Sequence, residues 1–280
     1  MKFAFIHIFV YHHLHWKEKK NMFQFVHQEI DFSHKLDYAS SPKDEYSKHM
    51  HSFYELLFFV RGDVDYHVES ETRHLKGGDI ILMNPGKYHF ANANHNVSYE
   101  RYVLKFPTRY VPESLADRLK NAYPFFSSNR YVESIVKGLD GLYDLFNDGD
   151  MYLMSRSKIV EILVYLANVR QGSPEFKNDD IISTIIDYIQ GHLQEGLTLE
   201  SIANDLHYSE LYLSNQFKKT MRCSLMKYIR SKKIILAQAL IKEGKKAIDV
   251  AEELGFNDYS TFYRTYVKIT GVSPAEDRAN

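Results

Sequence analysis

The last third of the chain contains one sequence pattern twice, and this repeat constrains the fold more than any other feature. The first copy spans residues 197–219 and the second spans residues 247–271. When the copies are aligned, Leu206 falls on Leu254, and the small and apolar residues before them coincide. A spaced duplication indicates two similar structural units. The apolar spacing in each copy predicts two short helices joined by a turn, with one longer helix between the copies.

Each copy has the composition of a helix pair that reads DNA. Thr198, Ser209 and Asp258 are suited to cap helices of the two copies. In the second helix of each pair, apolar residues recur on one side, which leaves the opposite side exposed for a major groove. The predicted base-reading residues on that side are Leu211, Ser214 and Asn215 in the first copy, and Tyr259, Ser260, Tyr263 and Arg264 in the second.

The stretch between the copies is strongly basic, with Glu243 as its single acid between residues 218 and 246. A local basic stripe is what phosphate contacts require, although a charge run is also typical of a solvated helix face. The net charge of the whole chain, −1, says nothing about nucleic acid. The predicted phosphate contacts are Lys218, Lys219, Arg222 and Lys268.

This region resembles the DNA-binding domain of the AraC/XylS family of transcriptional regulators. The resemblance covers roughly residues 179–280 and is most specific in the second copy. The matching residues there are Ala251, Gly255-Phe256, Asp258, Ser260, Phe262, Arg264, Tyr266, Lys268, Gly271, Ser273-Pro274 and Arg278. The resemblance implies double-stranded DNA as a partner, a homodimer, contact with RNA polymerase, a cytoplasmic location and no enzymatic activity.

Four residues depart from the family pattern. Arg222 stands where the family usually has a glycine in a left-handed conformation, so we expect a strained or altered turn there. Lys233 replaces a common arginine, and Tyr266 replaces a common phenylalanine. Asp277 replaces a common aromatic residue, which leaves the packing of the last short helix open.

Residues 22–106 have the pattern of short β-strands. Residues 52–60 form a dense apolar and aromatic run, which indicates a strand buried on both faces. Apolar and polar residues alternate over residues 64–68, and turns are predicted at residues 61–63, 77–79 and 84–86. Short strands at this spacing predict a sandwich or barrel. The 21 Tyr and 18 Phe of the chain suit such a packed domain or a ligand pocket.

A spaced set of polar residues lies within this β region. His49, His51 and Glu55 share one strand parity and can therefore point into one cavity, and His89 follows Asn84-Pro85-Gly86. The spacing resembles the two motifs of the cupin barrel, which many AraC-type regulators carry as a sensor. The candidate residues of an effector pocket are His49, His51, Glu55, His89, Phe53, Tyr66 and Tyr88.

These candidate pocket residues leave two classes of ligand and three hypotheses for the function of the protein open. The resemblance implies an organic effector, such as a sugar-like small molecule, with no cofactor. Alternatively, His49, His51, Glu55 and His89 suit a first-row divalent metal ion. The first hypothesis is an effector-controlled regulator. The second is a metal-dependent cupin enzyme with an accessory DNA-binding domain. The third is a constitutive DNA-binding protein whose barrel only dimerises.

The predicted fold is an all-β cupin-like barrel with appended helices, followed by an all-α double helix-turn-helix domain. The predicted parts are an N-terminal extension at 1–22 with Met22 as the expected start, a barrel at 23–107, a helical segment at 108–170 that could dimerise, a linker at 171–178 and a DNA-binding domain at 179–280. A single cysteine, Cys223, excludes an internal disulfide. No apolar run is long enough to span a membrane.

Overall fold

The computed structural model describes residues 20–38, 48–94, 97–120, 122–169 and 180–279. The predicted linker and most of the predicted N-terminal extension lie outside these ranges. The strands are β1 (Lys20–His27), β2 (Ile30–Tyr38), β3 (Tyr54–Arg61), β4 (Val64–Val68), β5 (Glu71–His74), β6 (Ile80–Met83), β7 (His89–Ala93), β8 (Ser98–Phe106) and β9 (Phe125–Phe126). The helices are α1 (Glu113–Lys120), α2 (Arg130–Leu142), α3 (Asp148–Leu166), α4 (Asp180–Gly191), α5 (Leu199–Asp205), α6 (Glu210–Met221), α7 (Leu225–Lys242), α8 (Ala247–Glu253), α9 (Tyr259–Thr270) and α10 (Pro274–Ala279).

The N-terminal half forms two antiparallel sheets. Six strands pair in the order β1-β2-β8-β3-β6-β9, and three pair in the order β5-β4-β7. Strands of the described ranges do not close into one barrel, so the predicted cupin-like barrel is corrected to a domain of two sheets. The predicted β class of this half is confirmed.

Strand β3 explains how the two sheets come to share a core. Its first six residues are buried, as the apolar run predicts. Leu56 and Phe58 face the core that the six-stranded sheet shares with helices α1–α3. Leu57 and Phe59 face a second core, between the two sheets. Because side chains alternate along a strand, Glu55 belongs to the second face.

Helices α1–α3 cover the outer face of the six-stranded sheet. Asn129 caps α2 by accepting hydrogen bonds from two backbone N–H groups of its first turn, and Asn147 caps α3. Apolar residues recur at helical spacing over residues 131–148, which predicts one helix there, but α2 ends at Leu142. Phe146, predicted on the apolar face of that helix, lies beyond it and is 37% exposed.

The C-terminal half contains the two predicted helix-turn-helix copies, α5–α6 and α8–α9, joined by α7. The turns are equivalent, because Tyr208 N–H donates to the Ala203 carbonyl (2.9 Å) as Phe256 N–H donates to the Ala251 carbonyl (3.0 Å). Thr198 caps α5, Ser209 caps α6 and Asp258 caps α9, so all three predicted caps are confirmed.

Two cores divide this half into two units, and among the described residues the partly buried Ile269 of α9 packs against both cores. The first unit comprises α4–α6 and the N-terminal half of α7, and the second comprises the rest of α7 and α8–α10. The outer face of the three-stranded sheet covers the first unit, since Met50, Tyr88 and Phe90 belong to the core of that unit. Among the described residues, the second unit's core contains none from the N-terminal half.

Among the described residues, no helix is both long enough and apolar enough to cross a membrane.

Candidate ligand site and DNA-reading surface

Four residues predicted to line the pocket meet beside the space between the two sheets. His49, His51, Glu55 and His89 each place one possible metal-ligating atom within 4.8 Å of those of the other three. The His89 ring centroid lies 4.4 Å from that of His49 and 4.9 Å from that of His51. His51, Glu55 and His89 are buried, whereas His49 is exposed. We refer to these four residues as the histidine cluster.

Backbone hydrogen bonds hold together the segments that carry the cluster. The His49 N–H donates to the His89 carbonyl (3.2 Å), and the His89 N–H donates to the His49 carbonyl (3.0 Å). The Gly86 N–H donates to the His51 carbonyl (2.8 Å). Glu55 is the second residue of β3. Two stretches that are separate in sequence, residues 49–55 and residues 86–89, therefore converge at the cluster.

Side-chain hydrogen bonds orient the two buried imidazoles. His51 Nδ1 donates to the Phe53 carbonyl and His89 Nδ1 to the Lys87 carbonyl, each at 2.9 Å. A carbonyl oxygen only accepts, so both Nδ1 atoms must carry protons. His51 Nε2 lies 3.1 Å from Glu55 Oε2. His89 Nε2 is buried and has no hydrogen-bond partner in the described part of the chain.

The cluster combines a buried negative charge with a neutral imidazole. Burial alone would raise the pKa of Glu55, but the hydrogen bond with His51 and nearby positive charge hold this pKa well below its usual range. Lys105 Nζ lies 3.9 Å from Glu55 Oε2. Burial lowers the pKa of His89 to about 3, so this ring is neutral at pH 7. A carboxylate beside an imidazole lone pair is a donor set for a cation.

Two of the other predicted pocket residues adjoin the cluster and one does not. The Phe53 ring stacks on His51 with centroids 3.8 Å apart, and the Tyr66 ring lies 6.4 Å from His89. Tyr88 instead contacts the C-terminal half, with its ring 5.9 Å from that of Tyr228. Neighbouring residues of an extended chain point to opposite sides, so His89 and Tyr88 diverge. The assignment of Tyr88 to the pocket is corrected to an interface position.

A buried polar contact joins the two halves of the chain, and no sequence pattern indicated it. Tyr228 O–H donates to Glu69 Oε2 (2.7 Å), and Lys232 Nζ donates to Glu69 Oε1 (2.7 Å) and to the Gly86 carbonyl (2.7 Å). Burial, together with the Glu69 carboxylate, raises the pKa of Tyr228 well above its usual value. Glu69 and Lys232 are 163 residues apart in the chain, so no local pattern could have paired them.

The predicted base-reading residues lie on α6 and α9. Leu211 is 72% exposed, while Tyr259 and Tyr263 are 40% and 42% exposed. Asn215, Ser260 and Arg264 are exposed, and Ser214 is half-buried. The opposite sides of α6 and α9 are buried in the cores of the two units. Tyr208 and Tyr212 are also exposed beside Leu211, although neither is among the predicted base-reading residues.

The predicted phosphate contacts Lys218, Lys219, Arg222 and Lys268 are all exposed. Arg222 ends α6 in the left-handed conformation, with φ 55° and ψ 17°. The expectation of a strained turn at this position is confirmed, because a non-glycine residue holds a conformation that favours glycine.

Comparison with known proteins gives the class of the chain. A model of the AraC-like ligand binding domain matches residues 35–157, and a model of a helix-turn-helix domain matches residues 202–280. The chain therefore belongs to the AraC/XylS family of transcriptional regulators, with an N-terminal ligand-binding domain and a C-terminal DNA-binding domain.

Individual relatives are distant in sequence. The HTH-type transcriptional activator RhaR of Escherichia coli O139:H28 is 21% identical over 255 residues, which cover 85% of this chain and 88% of RhaR. The HTH-type transcriptional regulator YtdP of Bacillus subtilis is 31% identical over 142 residues, which cover 50% of this chain but only 18% of YtdP. The structure of ToxT from Vibrio cholerae with bound unsaturated fatty acid is similar to this chain, with 12% sequence identity. The similarity covers 92% of this chain and 96% of ToxT. The TM-score of that comparison is 0.40.

Proposed function

We propose that the protein regulates transcription by binding a specific DNA sequence through α6 and α9, under the control of a ligand in its N-terminal domain. The observation that carries the proposal is the equivalence of α6 and α9, each of which turns one exposed side away from its own core. Two such helices on one face of DNA read successive major-groove segments, about one helical turn apart.

The residues of the reading surface divide into two roles. Arg264 is the best candidate for a bidentate contact with a guanine, because its guanidinium lies on the exposed side of α9. The other candidate base contacts are Leu211, Ser214, Asn215, Tyr259, Ser260 and Tyr263. Lys218, Lys219, Arg222 and Lys268 would hold phosphates and set the register of the protein on DNA.

The test is a selection of genomic DNA fragments by the purified, full-length protein, using DNA from its own cells. Enrichment of discrete sites upstream of operons would support the proposed function. Uniform recovery of all fragments by folded protein, with and without cell extract as a source of ligand, would overturn it.

We expect Arg264→Ala to weaken binding to a selected site by about 5- to 150-fold, the equivalent of about 1–3 kcal/mol. Binding to unrelated DNA should change far less, since a base contact carries the specificity. The matched control is Lys268→Ala, which should weaken binding to both DNAs alike and reduce the salt dependence by about one charge. Both affinities can be measured by fluorescence anisotropy over a salt series. An equal loss on both DNAs with Arg264→Ala would exclude a base-reading role.

The nature of the ligand separates the three hypotheses for the N-terminal domain. A sugar-like effector is the class implied by the family resemblance, and a true effector should raise the melting temperature of the protein. A scaffold that only dimerises should respond to no ligand. Membership in a family of transcriptional regulators favours the regulatory hypothesis. The alternative, a metal-dependent enzyme, would require that the protein catalyse the turnover of a substrate.

We also propose that the protein acts as a homodimer in the cytoplasm and contacts RNA polymerase at its target promoters. Helix α3 supports the dimer, because Leu153 and Val164 are 61% and 46% exposed and lie about three helical turns apart on one face. Sedimentation of the purified protein at micromolar concentration tests the oligomeric state directly.

A further inference from the structure

We propose that the histidine cluster binds a divalent first-row transition-metal ion, and that this ion strengthens the docking of the first helix-turn-helix unit on the N-terminal domain. The inference rests on the function proposed above and deepens it, since it names the ligand of the sensor site and the contact that the ligand controls.

The orientation of the imidazoles is the first argument. Hydrogen bonds from His51 Nδ1 and His89 Nδ1 to backbone carbonyls fix both rings so that their Nε2 atoms point at the cluster. Metal-ligating histidines are commonly held by such a bond through the other ring nitrogen. His89 Nε2 is buried and unpaired within the described ranges, and a buried polar atom of this kind calls for a partner. A metal ion would supply that partner.

The size and chemistry of the cluster are the second argument. With bonds of about 2.1 Å, two donors of one ion lie no more than about 4.2 Å apart. The observed limit of 4.8 Å closes with movements of less than about 1 Å, so the spacing of the donors matches that around a single metal ion. Three imidazoles and one carboxylate suit Zn²⁺ and its first-row neighbours, whereas Mg²⁺ and Ca²⁺ prefer oxygen ligands.

The charge of the histidine cluster and its access from the surface also suit a metal ion. Glu55 is a buried carboxylate, and a buried charge needs a partner of opposite sign. At present its partners are His51 Nε2 at 3.1 Å and, more weakly, Lys105 Nζ at 3.9 Å. A divalent ion would take the place of the hydrogen bond between His51 and Glu55 and would bring more positive charge to the carboxylate. His49 is exposed, so an ion can reach the cluster from the surface.

The link to the DNA-binding half follows from alternation along two extended segments. His49 and His51 point towards the cluster, and Met50 between them packs in the core of the first unit. On the other segment, His89 points to the cluster while Tyr88 and Phe90 on either side pack in that same core. An ion that holds His49, His51 and His89 in place therefore also holds Met50, Tyr88 and Phe90 in their positions in the core of the first unit.

A chain of hydrogen bonds provides a second link. The Gly86 N–H donates to the carbonyl of the ligand residue His51, and the Gly86 carbonyl accepts from Lys232 Nζ of α7. Lys232 also pairs with Glu69 at 2.7 Å, within the same interface. The peptide backbone around Gly86 therefore joins the histidine cluster directly to the helix that connects the two units.

The first experiment measures metal binding by the full-length chain. His12, His13 and His15 can also bind metal ions, so the reference protein carries His12→Ala, His13→Ala and His15→Ala. In this background we expect one equivalent of Co²⁺ with a visible absorption band, displaced by Zn²⁺ and unaffected by Mg²⁺. Glu55→Gln and His49→Ala should each weaken binding at least about 10-fold, as loss of a ligand requires. The control His74→Ala, an exposed histidine outside the cluster, should bind as the reference does.

Zn²⁺ should also raise the melting temperature of the reference protein by about 5 °C or more, and that of Glu55→Gln by much less. Glu55→Gln conserves size, and its circular dichroism in the absence of metal shows whether it is folded. If the reference protein binds no more Co²⁺ than Glu55→Gln and His49→Ala, the metal site is excluded.

The second experiment measures docking by hydrogen–deuterium exchange with and without Zn²⁺. Exchange should slow at least about threefold in residues 86–90 and in α4 and α6, and should not change in α9. Lys232→Met, which removes the contact with Glu69 and Gly86 but no metal ligand, should keep its affinity for Co²⁺ and lose most of the slowing in α4 and α6. If the protein binds metal normally but hydrogen–deuterium exchange in α4 and α6 does not change, the proposal that the ion strengthens docking is overturned.

These outcomes are independent of the DNA selection described above. Specific DNA sites together with no metal binding would defeat the inference and leave the proposed function intact. Metal binding and metal-dependent docking without specific DNA sites would defeat the proposed function and leave the metal site intact.

Discussion

At the scale of single residues, the departures from the family pattern are explained by their surroundings. Arg222 occupies a left-handed conformation that costs a residue with a Cβ about 1–2 kcal/mol. Its side chain is exposed beside the basic end of α6, where it can contact a phosphate. This position therefore combines a local loss of stability with an additional positive charge on the proposed DNA-binding surface.

We expect Arg222→Gly to raise the free energy of unfolding by about 1 kcal/mol, because glycine adopts this conformation without strain. The same substitution should weaken DNA binding and lower its salt dependence by about one charge. Urea unfolding and a salt titration measure the two effects. Arg222→Ala is the control, since it removes the charge and keeps the Cβ. If both variants have the same stability, backbone strain at this position is not the cause.

Tyr266 and Asp277 are two departures that compensate for each other. Asp277 is buried and accepts hydrogen bonds from Tyr266 O–H and Gln238 Nε2, each at 2.8 Å. Lys242 Nζ lies 3.4 Å from its other oxygen. Burial and this carboxylate raise the pKa of Tyr266, so the phenol stays protonated and can donate. The packing of α10, which the sequence left open, is thus explained by a polar pair in place of two aromatic rings.

The hydrogen bond between Tyr266 and Asp277 predicts that the effects of substituting the two residues on stability are coupled in a double-mutant cycle. Tyr266→Phe should lower the free energy of unfolding by about 1–2 kcal/mol, although it restores the common family residue, because Asp277 loses a donor. Asp277→Ala should lower it further, and the double variant should be more stable than the sum of the single losses by about 1 kcal/mol. Chemical unfolding of the four proteins measures the cycle, and strict additivity would contradict the pairing.

His67 predicts a pH dependence at the face between the two halves. Its ring stacks on Phe90, with Thr72 Oγ1 at 2.7 Å from Nδ1 and Asn92 Nδ2 at 2.9 Å from Nε2. Burial lowers the pKa of His67 to about 4, against the opposing charge of Asp65, and Arg222 lowers it further. Burial, Arg222 and the amide nitrogen of Asn92, which can only donate to Nε2, favour the neutral ring and outweigh Asp65.

The unfolded chain binds this proton more tightly, since an unperturbed histidine has a pKa of about 6.5. The contribution to stability is therefore complete above about pH 6.5 and is lost as the pH falls towards 4. We expect the wild type to lose on the order of 1 kcal/mol more than His67→Gln over this interval, after allowance for partial exposure. Urea unfolding at a series of pH values measures the difference. Parallel curves for the two proteins would contradict this assignment.

At the scale of elements, the sequence predicted most of what is local. Thr198, Ser209 and Asp258 cap helices because each supplies an acceptor to the first turn, and that information lies within three residues. The apolar run at residues 52–60 identified a strand buried on both faces for a similar reason. The end of α2 was not predicted, since apolar spacing continues to Phe146 although the helix stops at Leu142.

Lys233 illustrates a role that only the assembled elements disclose. Its ammonium group donates to the carbonyls of Glu195 and Leu254, each at 2.7 Å. It thereby joins the segment after α4 to the end of α8, and burial lowers its pKa. From the sequence, Lys233 was one charge in a basic stretch and a substitute for arginine. The carbonyl partners are supplied by distant turns, which is why a charge count could not separate this structural lysine from the exposed ones.

At the scale of the whole molecule, the sequence located the histidine cluster but not the interface behind it. Spacing and strand parity were sufficient to bring His49, His51, Glu55 and His89 together. The same spacing misplaced Tyr88, because the ends of the extended segments and the partner on their other face were unknown. Glu69 was missed altogether, since its partners Tyr228 and Lys232 belong to the other half of the chain. Contacts of this kind are set by the docking of two domains and leave no periodic signal.

This arrangement predicts that the two helix-turn-helix units respond differently when the interface is weakened. Glu69→Gln conserves the size of the side chain and removes the charge that Lys232 and Tyr228 share. We expect hydrogen–deuterium exchange to accelerate in α4 and α6, whose core includes Met50, Tyr88 and Phe90. Exchange should remain unchanged in α9, because its fully buried residues Phe262 and Tyr266 belong to the second core. The control is Glu253→Gln, which removes an ion pair with Lys245 in the second unit and should not affect α4. Equal acceleration in α6 and α9 with Glu69→Gln would mean that the DNA-binding half undocks as one rigid body. Acceleration limited to α6 would show that the N-terminal domain acts on one reading helix while the other keeps its structure.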